Sequence, residues 1–218
     1  MNTSVKNIVK KGVKLFVFSI ILMVLCAFIY PLALTGVSQL TMEEKADGSL
    51  ITADGEYTTD PKEAVGSALI GQDFTDDRFF KGRVSSINYN TYTEEQKESG
   101  EYAGVGSGTF NYGNSNPDLK ARIEESTKEF LATHPGVKKE DIPADLLTAS
   151  GSGLDPHISP ESAEVQIETV AKNSGLSVEE VREIVKNNTE GKTLGILGDE
   201  TVNVLKCNLE IADRIGLI

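Results

Sequence analysis

The sequence predicts an α+β protein: a single N-terminal transmembrane helix followed by one compact extracytoplasmic domain. Three observations carry this reading. Residues Leu15 to Leu34 run for twenty positions without a charge, with only Ser19 and Tyr30 polar in their side chains. Capping signals then open three amphipathic stretches of helical period, and residues 203–211 alternate apolar and polar side chains.

The apolar run sets the sides. At about 1.5 Å rise per residue, a helix of this length covers the roughly 30 Å hydrocarbon core of a bilayer and satisfies its own backbone polar groups there. Lys6, Lys10, Lys11 and Lys14 precede it, and Glu43 is the first charged residue after it. The positive-inside rule places residues 1–14 in the cytoplasm, 15–38 in the cell membrane and 39–218 outside. A secretory signal shares the basic start, but its apolar core is about 7 to 15 residues and a small-x-small cleavage site follows. No such site follows here, and Leu25 is too large for lipoprotein processing at Cys26. The run is read as a retained single-pass anchor.

All 33 acidic residues but only 17 of the 21 Lys and Arg lie beyond the anchor, a formal charge of −16. That sign excludes nucleic acid as a partner. The acidity serves solubility more simply than cation steering. About 180 residues suffice for one domain with a real core. Cys26, in the lipid span, and Cys207, near the C-terminus, occupy different phases, so packing and not a disulfide is expected to hold the domain.

In chain order, Asp47-Gly48 and Asp54-Gly55 signal turns and an irregular or hairpin entry. Ser67 to Ile70 reads as a short buried strand, and Phe74, Phe79 and Phe80 as core or interface anchors. Tyr89 to Gly113 is a long loop rich in Gly, Tyr and Ser, of the kind that binds or stays unstructured. Asn116-Pro117 starts a helix with Leu119, Ile123, Thr127, Phe130 and Leu131 on one face, ending at His134. Ser159-Pro160 starts another, carrying Ala163, Ile167, Val170 and Ala171 to a stop at Gly175. Ser177 and Glu180 form a capping box for a third, with Val181, Ile184 and Val185 inward before Gly191. From Asn203 to Ile211 the period of two favours a half-buried strand, and a helix using Leu205, Leu209 and Ala212 is the alternative.

No catalytic or metal-ligating set emerges. Gly191-Lys192-Thr193 lacks the first glycine of a P-loop, which would fall at Lys186, and it ends a helix instead of starting one. Gly104, Gly106 and Gly108 have no strand before them and no helix placed to receive a dinucleotide. Neither His134 nor His157 has metal spacing. Leu154, Asp155, Pro156, His157 and Ser159 immediately precede a helix start, with Gln166 further along it. One reading makes Asp155, His157 and the helix N–H groups a polar or anionic ligand site, or the core of a membrane-anchored extracellular hydrolase or ligand-binding domain. The simpler reading has Asp155 and Ser159 bonding local backbone.

Several stretches, in order along the whole chain, resemble one family. They are Tyr30-Pro31-Leu32 with Thr35-Gly36; Gly66 to Gln72 with Phe74, Phe79-Phe80 and Gly82-Arg83; Asn116-Pro117; Ala149 to Pro160; and Val202 to Leu205. The family is the C subunit of the Kdp-type potassium-transporting ATPase. Residues 104–115 depart from its tighter glycine-rich pattern. The resemblance implies a non-hydrolytic accessory subunit, in keeping with the absence of the D-K-T-G motif of P-type pumps. Its implied partners are a channel-like potassium-translocating subunit, a P-type ATPase subunit and a small single-span subunit, besides the lipid bilayer. The family is described as a catalytic chaperone raising the pump's affinity for ATP, so ATP enters through the complex and no cofactor is assigned to this chain. The resemblance marks Tyr30, Pro31, Thr35 and Gly36 as a membrane-docking face, and the segment from Leu154 to Gln166 as an interface or ligand loop.

Overall fold

The computed structural model describes residues 3–100 and 104–218. The chain divides into two units, Met1–Ser49 and Leu50–Ile218.

The first unit is helical. Helix α1 (Thr3–Val24) passes through a π-helical turn at Leu25–Ile29 into α2 (Tyr30–Thr41), and a short α3 (Glu43–Ala46) follows. Pro31 explains the π turn. It has no N–H for the carbonyl four residues back, and its ring would strike that carbonyl. The helix widens just before it, and the Tyr30 N–H reaches the Leu25 carbonyl, five residues back. Val5–Thr41 forms one 37-residue helical run long and apolar enough to cross a membrane, and no protein covers its apolar window.

The second unit holds one main core. Antiparallel β1 (Leu50–Ile51) and β2 (Gly66–Ser67) pair at its start. They flank the expected hairpin, where the Gly55 N–H bonds to the Thr52 carbonyl at 3.0 Å. A three-stranded antiparallel sheet, in the order β3 (His157–Ile158), β5 (Thr201–Asn203), β4 (Thr189–Glu190), forms near the C-terminal end. Among the long helices, α5 (Pro117–Thr133) begins where Asn116 accepts the Asp118 N–H, and Phe130 points into the core. It is preceded by α4 (Glu94–Glu98) and followed by α6 (Ala144–Leu147). Helix α9 (Val178–Asn187) has the Ser177–Glu180 capping box and buries Val181, Ile184 and Val185. Phe80 joins this core fully buried, with Phe74 and Phe79 packed half-buried against it.

The structure corrects three sequence expectations. Residues after Asn203 form helix α10 (Val204–Arg214), not a strand. Both Cys207 and Asn208 are buried, so the inward face follows positions 204, 205, 207, 208, 211 and 212, a helical stripe. Only Thr201–Asn203 is extended. The helix expected from Ser159 to Gly175 breaks into α7 (Pro160–Glu164) and α8 (Ile167–Ser174). A tight Gln166 N–H bond to the Ala163 carbonyl sits at the break, where the Gln166 side chain turns inward. The strand expected over Ser67–Ile70 stops at Ser67, whose hydroxyl and carbonyl accept the Leu69 and Ile70 N–H groups and close a turn. The third helix ends at Asn187, before Gly191 as expected, and passes into β4.

The long Tyr89–Gly113 segment is partly ordered by side chains, with residues 101–103 lying outside the described ones. Thr93 and Gln96 cap α4 reciprocally. Further on, the Gly108 N–H donates to the Ser152 carbonyl and Asn90 bonds both polar groups of the Gly106 backbone.

Candidate functional site

The Leu154–Ser159 segment is built into the domain by its backbone. The Gly71 N–H donates to the Leu154 carbonyl at 2.8 Å, and the Val204 N–H to the Pro156 carbonyl at 2.9 Å. His157 and Ile158 then enter the sheet opposite Asn203 and Val202. Gly71 has to be glycine. A Cβ there would lie 2.5 Å from Tyr89 Cε1 and 2.7 Å from the Asp155 carbonyl oxygen.

Asp155 is the hub. Its Oδ2 accepts from Arg83 Nη1 at 3.1 Å, its Oδ1 accepts the His157 backbone N–H at 3.0 Å, and His157 Nδ1 lies 3.4 Å from Oδ1. Burial pushes the Asp155 carboxyl up, but the hydrogen bonds from His157 and the charge and hydrogen bond of Arg83 outweigh it and hold it below the usual carboxylate range. Tyr89 packs beneath, donating its hydroxyl to the Arg83 carbonyl at 2.7 Å. Burial first, and then the neighbouring Asp155 charge, push its phenol up to about 12. Asn88, Tyr89 and Asn90 all have positive φ, at 49°, 50° and 57°. That left-handed turn is strained, and Ser85 Oγ stabilises it by accepting the Tyr89 N–H at 2.9 Å.

Ser159 serves a second, separate cluster. As the N-cap of α7 its hydroxyl accepts the Ser162 N–H, and both its N–H and hydroxyl donate to the Asp145 carboxylate. The Ser162 hydroxyl donates to Asp145 Oδ1 at 2.6 Å. Gln166 is fully buried, its amide paired with the Lys81 backbone at 2.8 and 3.2 Å. Asn208 does the same for Phe80, at 2.9 and 3.0 Å. Leu154, Asp155, Pro156, His157 and Ser159 are therefore together, while Gln166 sits inside the core holding a different strand of chain. Tyr30, Pro31, Thr35 and Gly36 belong to the first unit and are exposed along its helix.

Arg83, Asp145, Asp155, His157 and Ser159 line a shallow cleft of about 390 Å³ together with Asp199, Glu200 and Thr201. Among the described residues, no three or more His, Cys, Asp or Glu side chains converge to hold a metal. Asp145 and Tyr89 belong to this candidate site and were missed by sequence reasoning. Nothing in the sequence pairs Asp145 with Ser159, fourteen residues on; Tyr89 carried a signal only in its Asn-flanked, turn-like setting.

The sequence model of the family described as K+-transporting ATPase, c chain, matches residues 13–213. The chain belongs to the KdpC family. It is 56% identical over 208 residues to the potassium-transporting ATPase KdpC subunit of Clostridium kluyveri, covering 95% of this chain and 96% of that one. The corresponding subunit of Clostridioides difficile is 54% identical over 92% of this chain and 95% of its own length, and that of Bacillus cereus strain Q1 is 46% identical over 87% and 88%. Three of the five stretches that carry the KdpC resemblance meet here. Gly66–Gln72 and Arg83 sit against the Leu154–Ser159 segment, and Asn203 pairs with His157 and donates its side-chain amide to the Ala68 carbonyl at 2.8 Å.

Proposed function

We propose that the chain is a non-hydrolytic accessory subunit of an ATP-driven, high-affinity potassium uptake complex. In this reading its N-terminus is cytoplasmic, its helix docks in the membrane through Tyr30, Pro31, Thr35 and Gly36, and its α+β domain works outside. Membership of the KdpC family carries the reading; the lysines ahead of the apolar helix and the acidic residues after it support the orientation. The partners are a channel-like potassium-translocating subunit, a P-type ATPase subunit and a small single-span subunit.

The cluster geometry supports structural work over hydrolysis. Both Asp155 oxygens are occupied by Arg83 and His157, and the nearby Ser159 hydroxyl is turned to Asp145. A nucleophile-and-base pair needs a hydroxyl within hydrogen-bond reach of the imidazole. The Gln166 amide, likewise, is fully used inside the core.

A role in raising the pump's affinity for ATP then acts through membrane helices, because the proposed topology separates this domain from cytoplasmic nucleotide. The test is the ATP half-saturation of the purified complex with and without this chain. A several-fold weaker half-saturation without it, with no labelling of this chain by an ATP photoprobe, is expected. Labelling of the Asp155–Gln166 segment by the probe would contradict it.

A further inference from the structure

The membrane helix is longer than a bilayer needs. Its helical run Val5–Thr41 has 37 residues, roughly 55 Å at about 1.5 Å per residue, whereas the hydrocarbon core takes about 30 Å and the whole bilayer about 40–45 Å. The charge-free residues 15–34 suffice to fill the core, so the turns before Leu15 lie at the headgroups or beyond them. They belong to the same unbroken helix α1, Thr3–Val24.

Those turns have two chemically distinct faces. Lys6, Lys10 and Lys14 recur every four residues, and Lys11, three before Lys14, lies beside them, with Asn7 on the same side. Val5, Val9 and Val13 recur at the same interval on the other side, joined by Ile8, and all four are exposed. No acidic residue occurs before Glu43, so nothing on the helix neutralises the lysines. A basic flank that only oriented the span would need the charges in any arrangement, and would not need the valines kept on the opposite face. In an upright helix Val5, Ile8 and Val9 would stand in water. A tilt within the roughly 0–40° that spans adopt brings their face down onto the acyl boundary, and the lysine stems then reach along the surface to the phosphates.

We propose that residues 5–14 form an interfacial basic helix that binds the phosphate headgroups of anionic phospholipids, its valine face in the acyl boundary and its lysines gathering headgroups around the base of the span. Four uncompensated cations at headgroup depth, beside an apolar face continuous with the span, match an anionic bilayer surface. An acidic protein surface in water would pair with the lysines and leave the valines uncovered. In the orientation proposed above, the bound leaflet is the cytoplasmic one. The inference rests on the reading of this chain as a membrane-spanning subunit.

The experiment uses the complex purified through this chain, with a benzophenone amino acid at Asn7, reconstituted in nanodiscs of phosphatidylcholine with a minority of phosphatidylglycerol. Both leaflets carry the same lipids, so the answer does not depend on orientation. Co-purification of pump subunits is scored first and tests the subunit reading by itself; without them, the same cross-linking is read on the chain alone. Mass spectrometry of the cross-linked chain then identifies the lipids. Phosphatidylglycerol is expected at about three times its share of the bilayer or more, falling toward that share at high salt. Exchanging Val9→Lys with Lys10→Val, and Val13→Lys with Lys14→Val, keeps composition and net charge but mixes the faces, and should abolish the enrichment. Where the exchanged chain fails to insert, the salt titration of the wild-type complex decides. Cross-links that match the bilayer composition, an enrichment unchanged by salt or by the exchange, or cross-links only to a protein would each overturn the lipid-binding helix and leave the subunit reading standing.

Discussion

Gly71 and Asp155 decide whether the cluster exists. Gly71→Ala forces a methyl against the Tyr89 ring and the Asp155 carbonyl, and backbone on one side cannot yield as a side-chain tip does. It should destabilise the domain by about 2–3 kcal/mol, measured by urea unfolding. Asp155→Ala leaves the Arg83 guanidinium and the His157 N–H without their acceptor, which should cost about 2 kcal/mol near neutral pH. The folded carboxyl titrates below its ordinary value of 3.8, so its contribution is fully present above that value and is lost as pH falls below it. Wild-type and Asp155→Ala unfolding midpoints should therefore converge in strong acid. A constant gap across the whole pH range would show that the carboxylate charge is not what holds the cluster. The roles of Asp155 and Ser159 in bonding local backbone were legible in the sequence, because Asp before Pro and Ser before Pro are turn and cap signals. Arg83 was visible only as part of a resemblance, and its ion pair spans 72 positions, a distance no local pattern encodes.

At the scale of elements, local signals were legible where one residue type satisfies one backbone group. The Asn116 and Ser177 caps and the Gly175 stop all appear where expected, Gly175 at φ +82° with its N–H on the Ala171 carbonyl. Misreadings came where a buried amide replaces an apolar side chain. Asn208 looked like the outward position of a strand, yet it is buried because it pairs with the Phe80 backbone. Gln166 interrupted a helix for the same reason, pairing with Lys81. Polarity in a sequence marks exposure only until a peptide group inside the core needs a partner. The anchor helix poses the element-scale prediction. Its π turn and Pro31 widen one face beside Tyr30, a feature an arbitrary span lacks. Exchanging Leu15–Leu34 for an unrelated apolar span of equal length should lower recovery of the assembled complex at least several-fold in a pull-down. Full assembly after the exchange would reduce the helix to a tether.

For the whole molecule, one apolar run and the charge on either side of it organise everything else. The chain joins an uncovered helix to an acidic domain whose most elaborate polar cluster is stapled shut by its own backbone and side chains. Such a construction holds surfaces in fixed positions, which is what the accessory role proposed above asks of it. The direct measurement is affinity purification through this chain from detergent-solubilised membranes of cells grown in low potassium. Stoichiometric recovery of a channel-like subunit and a P-type ATPase subunit with it is expected. Recovery of this chain alone, folded and stable, would rule out the proposed subunit role.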